Sequence, residues 1–310
     1  MGRRRCRGSR YAERMTGFRI LRSGFFFAFV TSLGSAQTPS APADAVSLTP
    51  AIVESGSPEL IRVGAPANAT LDGEWLGKKL EFFRARDGKA WYALAGVDVE
   101  AIAGPSVLKM RAVHTGGTVV TWNRNVEIHP AHYRTSTLTV APQFVAPGPE
   151  ELQRIKAESE LKAKVFAASA PEPLWHGDFR APVTAPSTDS FGTRRVFNGT
   201  LASVHKGMDF RSAVGTPVRA GNSGVVVLAQ PLYYEGNCVV IDHGLGLFTI
   251  SMHLSRIEVH EGQRVATGER IGLSGATGRV TGPHLHWAVR WQDAYLDPAK
   301  MLRLDLNFVR

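Results

Sequence analysis

Cysteine is nearly missing: Cys6 and Cys238 are the only two in 310 residues. Two thiols, one of them in a segment read below as removed, exclude a framework of internal disulfides. Long apolar runs are missing too. The run Phe25 to Val30 falls far short of the ~20 residues that a spanning helix needs. A usable excess of positive charge is also absent, despite a formal net charge of +9. Eight of the 36 basic residues and one of the 27 acidic ones lie in residues 1–36, which leaves 28 against 26 for the rest. Without a basic tail or patch, nucleic acid is excluded as the expected partner.

What is present begins with an export pattern. An Arg-rich start precedes Phe25-Phe26-Phe27-Ala28-Phe29-Val30, and Gly34-Ser35-Ala36 offers a small-residue cleavage site. Residues 1–36 therefore read as a signal peptide, with Met15 as an alternative start. The mature chain is expected in the periplasm or outside the cell, with no stable membrane span after cleavage. Cys6 precedes the apolar run and is not placed to accept a lipid.

The 31 Gly and 18 Pro imply many turns, as in a chain that is mainly β. Residues 37–45 are rich in Ala, Pro, Ser and Thr and read as a flexible lead-in. Residues 46–140 alternate in short bursts such as Leu60–Val63, Trp91–Leu94, Ser106–Val113 and Thr118–Trp122. Asp72-Gly73, Asp87-Gly88, Gly104-Pro105 and Gly116-Gly117 read as the turns between them, and the whole as a small Ig-like β-sandwich. Its expected role is to position the rest of the chain or to bind an envelope protein. Residues 141–190 read as a connecting helix (Glu150 to Ala168) followed by a Pro-rich loop that could fold over the groove of the next domain. Strand patterns resume over 191–310, with no helix expected there.

The chemistry-bearing residues all lie in this last part. In Gly282-Pro283-His284-Leu285-His286-Trp287, strand alternation puts His284 and His286 on one face. His205-Lys206-Gly207-Met208-Asp209 adds an imidazole and a carboxylate, and Ser251-Met252-His253-Leu254 adds a fifth group. Neutral imidazole and carboxylate are zinc ligands, and a catalytic zinc commonly has three protein ligands and one open position. Five groups allow three ligands and two histidines for acid–base work; spacing leaves open which three. No His-Glu-x-x-His occurs, so no glutamate base is expected by that route. Cys238, flanked by β-branched residues, reads as a buried thiol rather than a nucleophile. His243 reads as a turn residue supporting the site, and Gly275, Gly278 and Gly282 as a tight turn feeding the His284 strand.

The pieces His205-Lys206-Gly207-Met208-Asp209, Val240-Ile241-Asp242-His243-Gly244, His253-Leu254-Ser255 and Gly275-Ala276-Thr277-Gly278-Arg279-Val280-Thr281-Gly282-Pro283-His284-Leu285-His286, in this order, resemble the lysostaphin/LytM-type zinc endopeptidases, the M23 peptidase family. The resemblance runs from Phe191 to Pro298. It implies an antiparallel β-sheet domain with a groove over one Zn2+, ligated by His205, Asp209 and His286. It implies that His253 and His284 act on water and the tetrahedral intermediate. It implies hydrolysis of peptide cross-links, with peptidoglycan peptides as substrate. The alternatives are a non-catalytic scaffold that activates another cell-wall hydrolase, or an endopeptidase acting on an exported protein. The family pattern often has Tyr two residues before the histidine that matches His253; this chain has Ser251, which puts fine specificity in question.

Overall fold

The computed structural model describes residues 46–308, positions 86 and 200 excepted; the signal-peptide and lead-in readings over 1–45 lie outside the described residues. The first part is a two-sheet sandwich. One sheet runs in the order β1 (Val46–Thr49), β3 (Pro58–Val63), β7 (Trp91–Gly96), β6 (Phe83–Arg84). The other runs β2 (Val53–Glu54), β9 (Val119–His129), β8 (Gly104–Val113), β4 (Thr70–Trp75), β5 (Lys78–Leu80). Burial along β8 alternates, with Leu108, Met110 and Ala112 turned inward, because one face of the strand packs and the other meets water. Asp72-Gly73 lies inside β4 rather than at a turn: Gly73 faces Met110 and Leu80 on the neighbouring strands, and Asp72 pairs with Arg111 at 2.7 Å. The turn falls at Leu76-Gly77, where both residues have positive φ, as a tight two-residue hairpin needs.

The second part is built on an eight-stranded sheet. Seven strands follow in the order β11 (Ser187–Asp189), β14 (Met208–Phe210), β22 (Leu285–Trp291), β18 (Leu247–Leu254), β17 (Gly236–Asp242), β16 (Gly224–Leu232), β20 (Arg264–Val265), with β23 (Ala294–Leu296) also on β22. Two three-stranded sheets flank it: β10 (Thr135–Leu138), β12 (Arg194–Phe197), β13 (Leu201–Val204), and β15 (Pro217–Arg219), β21 (Arg270–Leu273), β19 (Arg256–Ile257). The central strands are apolar almost throughout because both faces of the sheet are covered. Cys238, Val240, Phe248 and Ile250 face one apolar cluster, and Val239 and Ile241 belong to another.

Helix α1 (Pro149–Ala167) covers the first of those faces with Leu161, Val165 and Phe166. The connector is therefore a packed layer. Pro149 at its first turn and Glu150 and Glu151 beside its N-terminus suit its start. Its polar side holds the loop after β16: Glu158 accepts from the Tyr233 backbone at 2.8 Å, and Lys162 pairs with Glu235. The Pro-rich loop packs along the body of the next domain. Trp175, Phe179 and Val183 are buried, and Leu174, Arg180 and Pro182 bond to the backbone of 243, 221 and 219. A short helix α2 (Pro298–Met301) does follow residue 191, capped by Asp297 accepting from the Ala299 backbone at 2.8 Å. One turn is too short to show a helical period in sequence.

The two parts share one apolar cluster. Phe83 meets Trp175 edge-to-face at 5.6 Å, Tyr92 stacks on Phe308 at 4.1 Å, and a Cβ on Gly96 would lie 2.3 Å from Leu296. No helix among the described residues is long and apolar enough to cross a membrane.

Candidate metal centre

Antiparallel pairing of β14 with β22 sets Asp209 directly opposite His286. Opposed residues bring their Cβ atoms to about 5 Å, close enough for side chains to share a ligand. His205 stands on the segment before β14. Its backbone exchanges hydrogen bonds with Gly192 and Thr193 at 2.8 Å each, which aims the ring inward. The three polar atoms converge. His205 Nε2 is 3.0 Å from Asp209 Oδ1 and 2.9 Å from His286 Nδ1, and His286 Nδ1 is 2.9 Å from Asp209 Oδ1.

These donors fit a divalent cation. Tetrahedral zinc with bonds of about 2.0–2.1 Å needs ligand atoms about 3.3 Å apart, so the triangle has only to open by a few tenths of an ångström. His205 Nδ1 donates to the Ser190 carbonyl at 3.0 Å, which leaves Nε2 with its lone pair toward the centre. His286 approaches with Nδ1, and its Nε2 side lies over Gly207, where a Cβ would be 2.5 Å from that nitrogen. Arg195 pairs with the other oxygen of Asp209 and fixes the carboxylate plane. Burial raises the Asp209 pKa, but the close ring nitrogens of His205 and His286 outweigh it and hold the carboxyl well below its usual range. Burial pulls the His286 pKa down to about 4, against the opposing pull of Asp209. Asp209 is thus anionic and His286 neutral at neutral pH, the states in which they can hold a metal. Among the described residues it is the group of this kind that brings its ligand atoms within 4.8 Å of one another.

His253 reaches the same place by breaking strand alternation. The register between β17 and β18 shifts so that Asn237 to Val239 is matched by Leu254 to Ser251, an extra residue on β18. His253 takes up the extra length with a left-handed backbone, φ 63°. Met252 and His253, consecutive residues, consequently both line one cavity. His253 Nδ1 donates to the Thr277 carbonyl at 2.9 Å, and burial pulls its pKa down to about 3. Its ring centroid is 4.9 Å from that of His284 and 6.0 Å from that of His286. His284 Nδ1 donates to the Gly282 carbonyl at 2.8 Å, and its Nε2 stands 3.7 Å from Asp209 Oδ1.

All five groups line a cavity of about 480 Å³. Arg195, Tyr234, Arg279 and Tyr295 also line it, and so does Glu100 from the sandwich, paired to Lys206 at 2.8 Å. None of these five was singled out by sequence. Arg279 sits inside a quoted motif and could have been flagged as a cation beside an anionic site; Glu100 arrives by tertiary packing alone. Ser251 is buried against Trp287 and Val239 in the sheet, and the cavity takes its aromatic rings from Phe197, Tyr234 and Tyr295 instead. His243 lies elsewhere, fully buried, between the Ser223 carbonyl at 2.7 Å and Thr249 Oγ1 at 2.8 Å. Cys238 is buried beneath α1, and burial pushes its thiol pKa far up, as expected of an inert thiol.

Residues 203–298 match the model of Peptidase family M23. The chain carries an M23 peptidase domain. Over 101 residues the chain is 50% identical to peptidoglycan DD-endopeptidase ShyA of Vibrio cholerae, covering 32% of this chain and 24% of that protein. Over 98 residues it is 41% identical to the DD-carboxypeptidase/endopeptidase Mpg of Neisseria meningitidis, covering 32% and 23%. The similarity thus spans about a quarter of these curated relatives' length. A crystallised Pseudomonas aeruginosa protein assigned to peptidase M23 aligns over 80% of this chain and 94% of its own, with a TM-score of 0.64 and 28% identity. That alignment extends well beyond the M23 segment.

Proposed function

We propose that the chain is an exported zinc endopeptidase that hydrolyses peptide cross-links of bacterial peptidoglycan. The observation that carries this reading is the convergence of His205, Asp209 and His286 to 2.9–3.0 Å on the wall of a cavity that also holds His253 and His284. The names of the M23 relatives support the substrate class, and the pattern of residues 1–36 supports export.

His205 Nε2, Asp209 Oδ1 and His286 Nδ1 would hold the metal. Zinc in such a site supplies a Lewis acid and makes water nucleophilic near neutral pH. The remaining work belongs to this chain's side chains. His253 presents Nε2 with a free lone pair, because Nδ1 is tied to Thr277, and burial keeps the ring neutral; it takes the proton of the attacking water. His284, tied through Nδ1 to Gly282, offers Nε2 as a donor when charged, to steady the oxyanion and protonate the departing amine. Arg195 positions Asp209 rather than touching substrate.

The test is metal content and release of peptides from purified peptidoglycan, with and without a chelator. Stoichiometric zinc with chelator-sensitive release is the expected result. Stoichiometric zinc with no release from the wall, but cleavage of an exported protein, would move the assignment to that substrate. No metal and no release after reconstitution would favour the scaffold.

A further inference from the structure

Arg279 lines the same cavity from the turn between β21 and β22. Its guanidinium carbon lies 4.6 Å from the ring centroid of Phe197 and 4.5 Å from that of Tyr234. Two aromatic rings therefore hold a half-buried cation in place. Arg195, on the same wall, is engaged with Asp209. Arg279 has no ion-pair partner among the described residues. Glu235, on the same cavity wall, is paired with Lys162, and the planar fork of N–H donors on Arg279 matches a further carboxylate in two-point contact. Burial draws its pKa down and the nearby Arg195 adds to that, against the opposing pull of Tyr234 and Glu235.

The turn is built to hold this residue still. The Arg279 backbone donates to the Tyr234 carbonyl at 2.9 Å. Thr277 Oγ1 accepts from the Asn237 backbone and donates to the Leu254 carbonyl, both at 2.9 Å. Gly278 and Gly236 interlock so closely that a Cβ on Gly278 would be 2.3 Å from the Gly236 nitrogen. Two residues before Arg279, the Thr277 carbonyl orients His253. One turn thus both carries Arg279 and orients the proposed base, in a cavity sized for a short peptide segment.

We propose that Arg279 is a specificity residue that binds a free carboxylate on the peptide substrate beside the scissile amide. This rests on the endopeptidase reading above. The experiment uses the zinc-loaded chain and two cross-linked peptides that differ only in a carboxylate or a carboxamide next to the cleaved bond. Both kcat/KM and, with uncleavable amide replacements, calorimetric Kd are measured. A charge-assisted contact predicts a preference of about 10- to 100-fold for the carboxylate. Arg279→Gln should bring that ratio to about one, and Arg279→Lys should keep part of it because the charge remains without the fork. A general folding defect lowers both peptides together and leaves the ratio standing. A parent ratio near one, or a Gln variant that keeps the parent ratio, overturns the proposal. If neither peptide is cleaved, the endopeptidase reading fails, and the Kd ratio still decides the role of Arg279.

Discussion

The carbonyl oxygen of Thr277 accepts the Nδ1 hydrogen of His253 at 2.9 Å, and this bond decides which ring nitrogen faces the cavity. The backbone at His253 is left-handed, a conformation that costs a β-carbon residue on the order of 1 kcal/mol. The bulge and the fixed tautomer together present an unprotonated Nε2 to the cavity that His205, Asp209 and His286 line.

Removing that ring should separate metal binding from turnover. His253→Ala is expected to retain zinc and lose about 10²–10⁴ in kcat, the usual contribution of a positioned base. Asp209→Ala should instead lose the metal. Metal analysis on the same samples used for kinetics checks both; zinc loss in His253→Ala would make it a ligand.

Gly207 is placed for the metal site and not for backbone freedom. A Cβ there would lie 2.5 Å from His286 Nε2 and 2.7 Å from the Trp287 carbonyl. Gly207→Ala should therefore rotate or push His286 and weaken zinc binding by about 10- to 100-fold, the cost of disturbing a ligand's support. Competition with a chelator of known affinity measures this, and unchanged affinity would show that the ring has room to move.

His243 should make the fold acid-sensitive without touching the metal centre. Burial, opposed by its bond to the Ser223 carbonyl, brings its pKa from 6.5 to about 4. The folded chain binds this proton less tightly than the unfolded chain. The neutral ring's contribution is therefore complete above pH 6.5 and lost as pH falls toward 4. That gap is worth about 3 kcal/mol. Urea unfolding at pH 7 and at pH 4.5 should show a smaller acid loss in His243→Gln than in the parent; equal losses would assign the acid sensitivity to other groups.

Phe166 anchors α1. Its ring meets Phe248 at 5.2 Å, and Arg290 lies 4.0 Å over its face. Phe166→Ala should cost about 2–4 kcal/mol. Because the polar side of α1 also holds Tyr233 and Glu235, the variant should raise KM as well. Denaturation and steady-state kinetics together test this; a loss of stability with KM untouched would uncouple the helix from the groove.

The five candidate site residues were legible in sequence because two physical facts suffice to gather them. Alternation puts His284 and His286 on one face, and His205 and Asp209 are near neighbours in the chain. Choosing His286 over His284 as ligand needed the family resemblance, and the structure brings His286 Nδ1, not His284, into the tight trio. The route of His253 into the cavity was not legible, since it depends on a register shift against Asn237 and Val239. Glu100 was invisible for the same reason: nothing local tells a sandwich residue that it will meet Lys206. The helix was located correctly, but its packing was not. Leu152, an apolar residue that marks its period, is exposed, while Leu161, Val165 and Phe166 are the ones that pack on the sheet. Asp72-Gly73 misled because a turn-forming pair was absorbed into a strand whose neighbours leave no space for a side chain at Gly73.

The contact of Gly96 with Leu296 has a consequence for cooperativity. Leu296 occupies the space that a side chain on the sandwich strand would need, and an apolar cluster runs through the joint without interruption. Melting the sandwich would uncover the flank of β23, the strand beside the one that carries His286. The first sheets are therefore not a detachable module: they and the sheet that carries His286 are expected to unfold as one, so that a ligand stabilising either half stabilises the other.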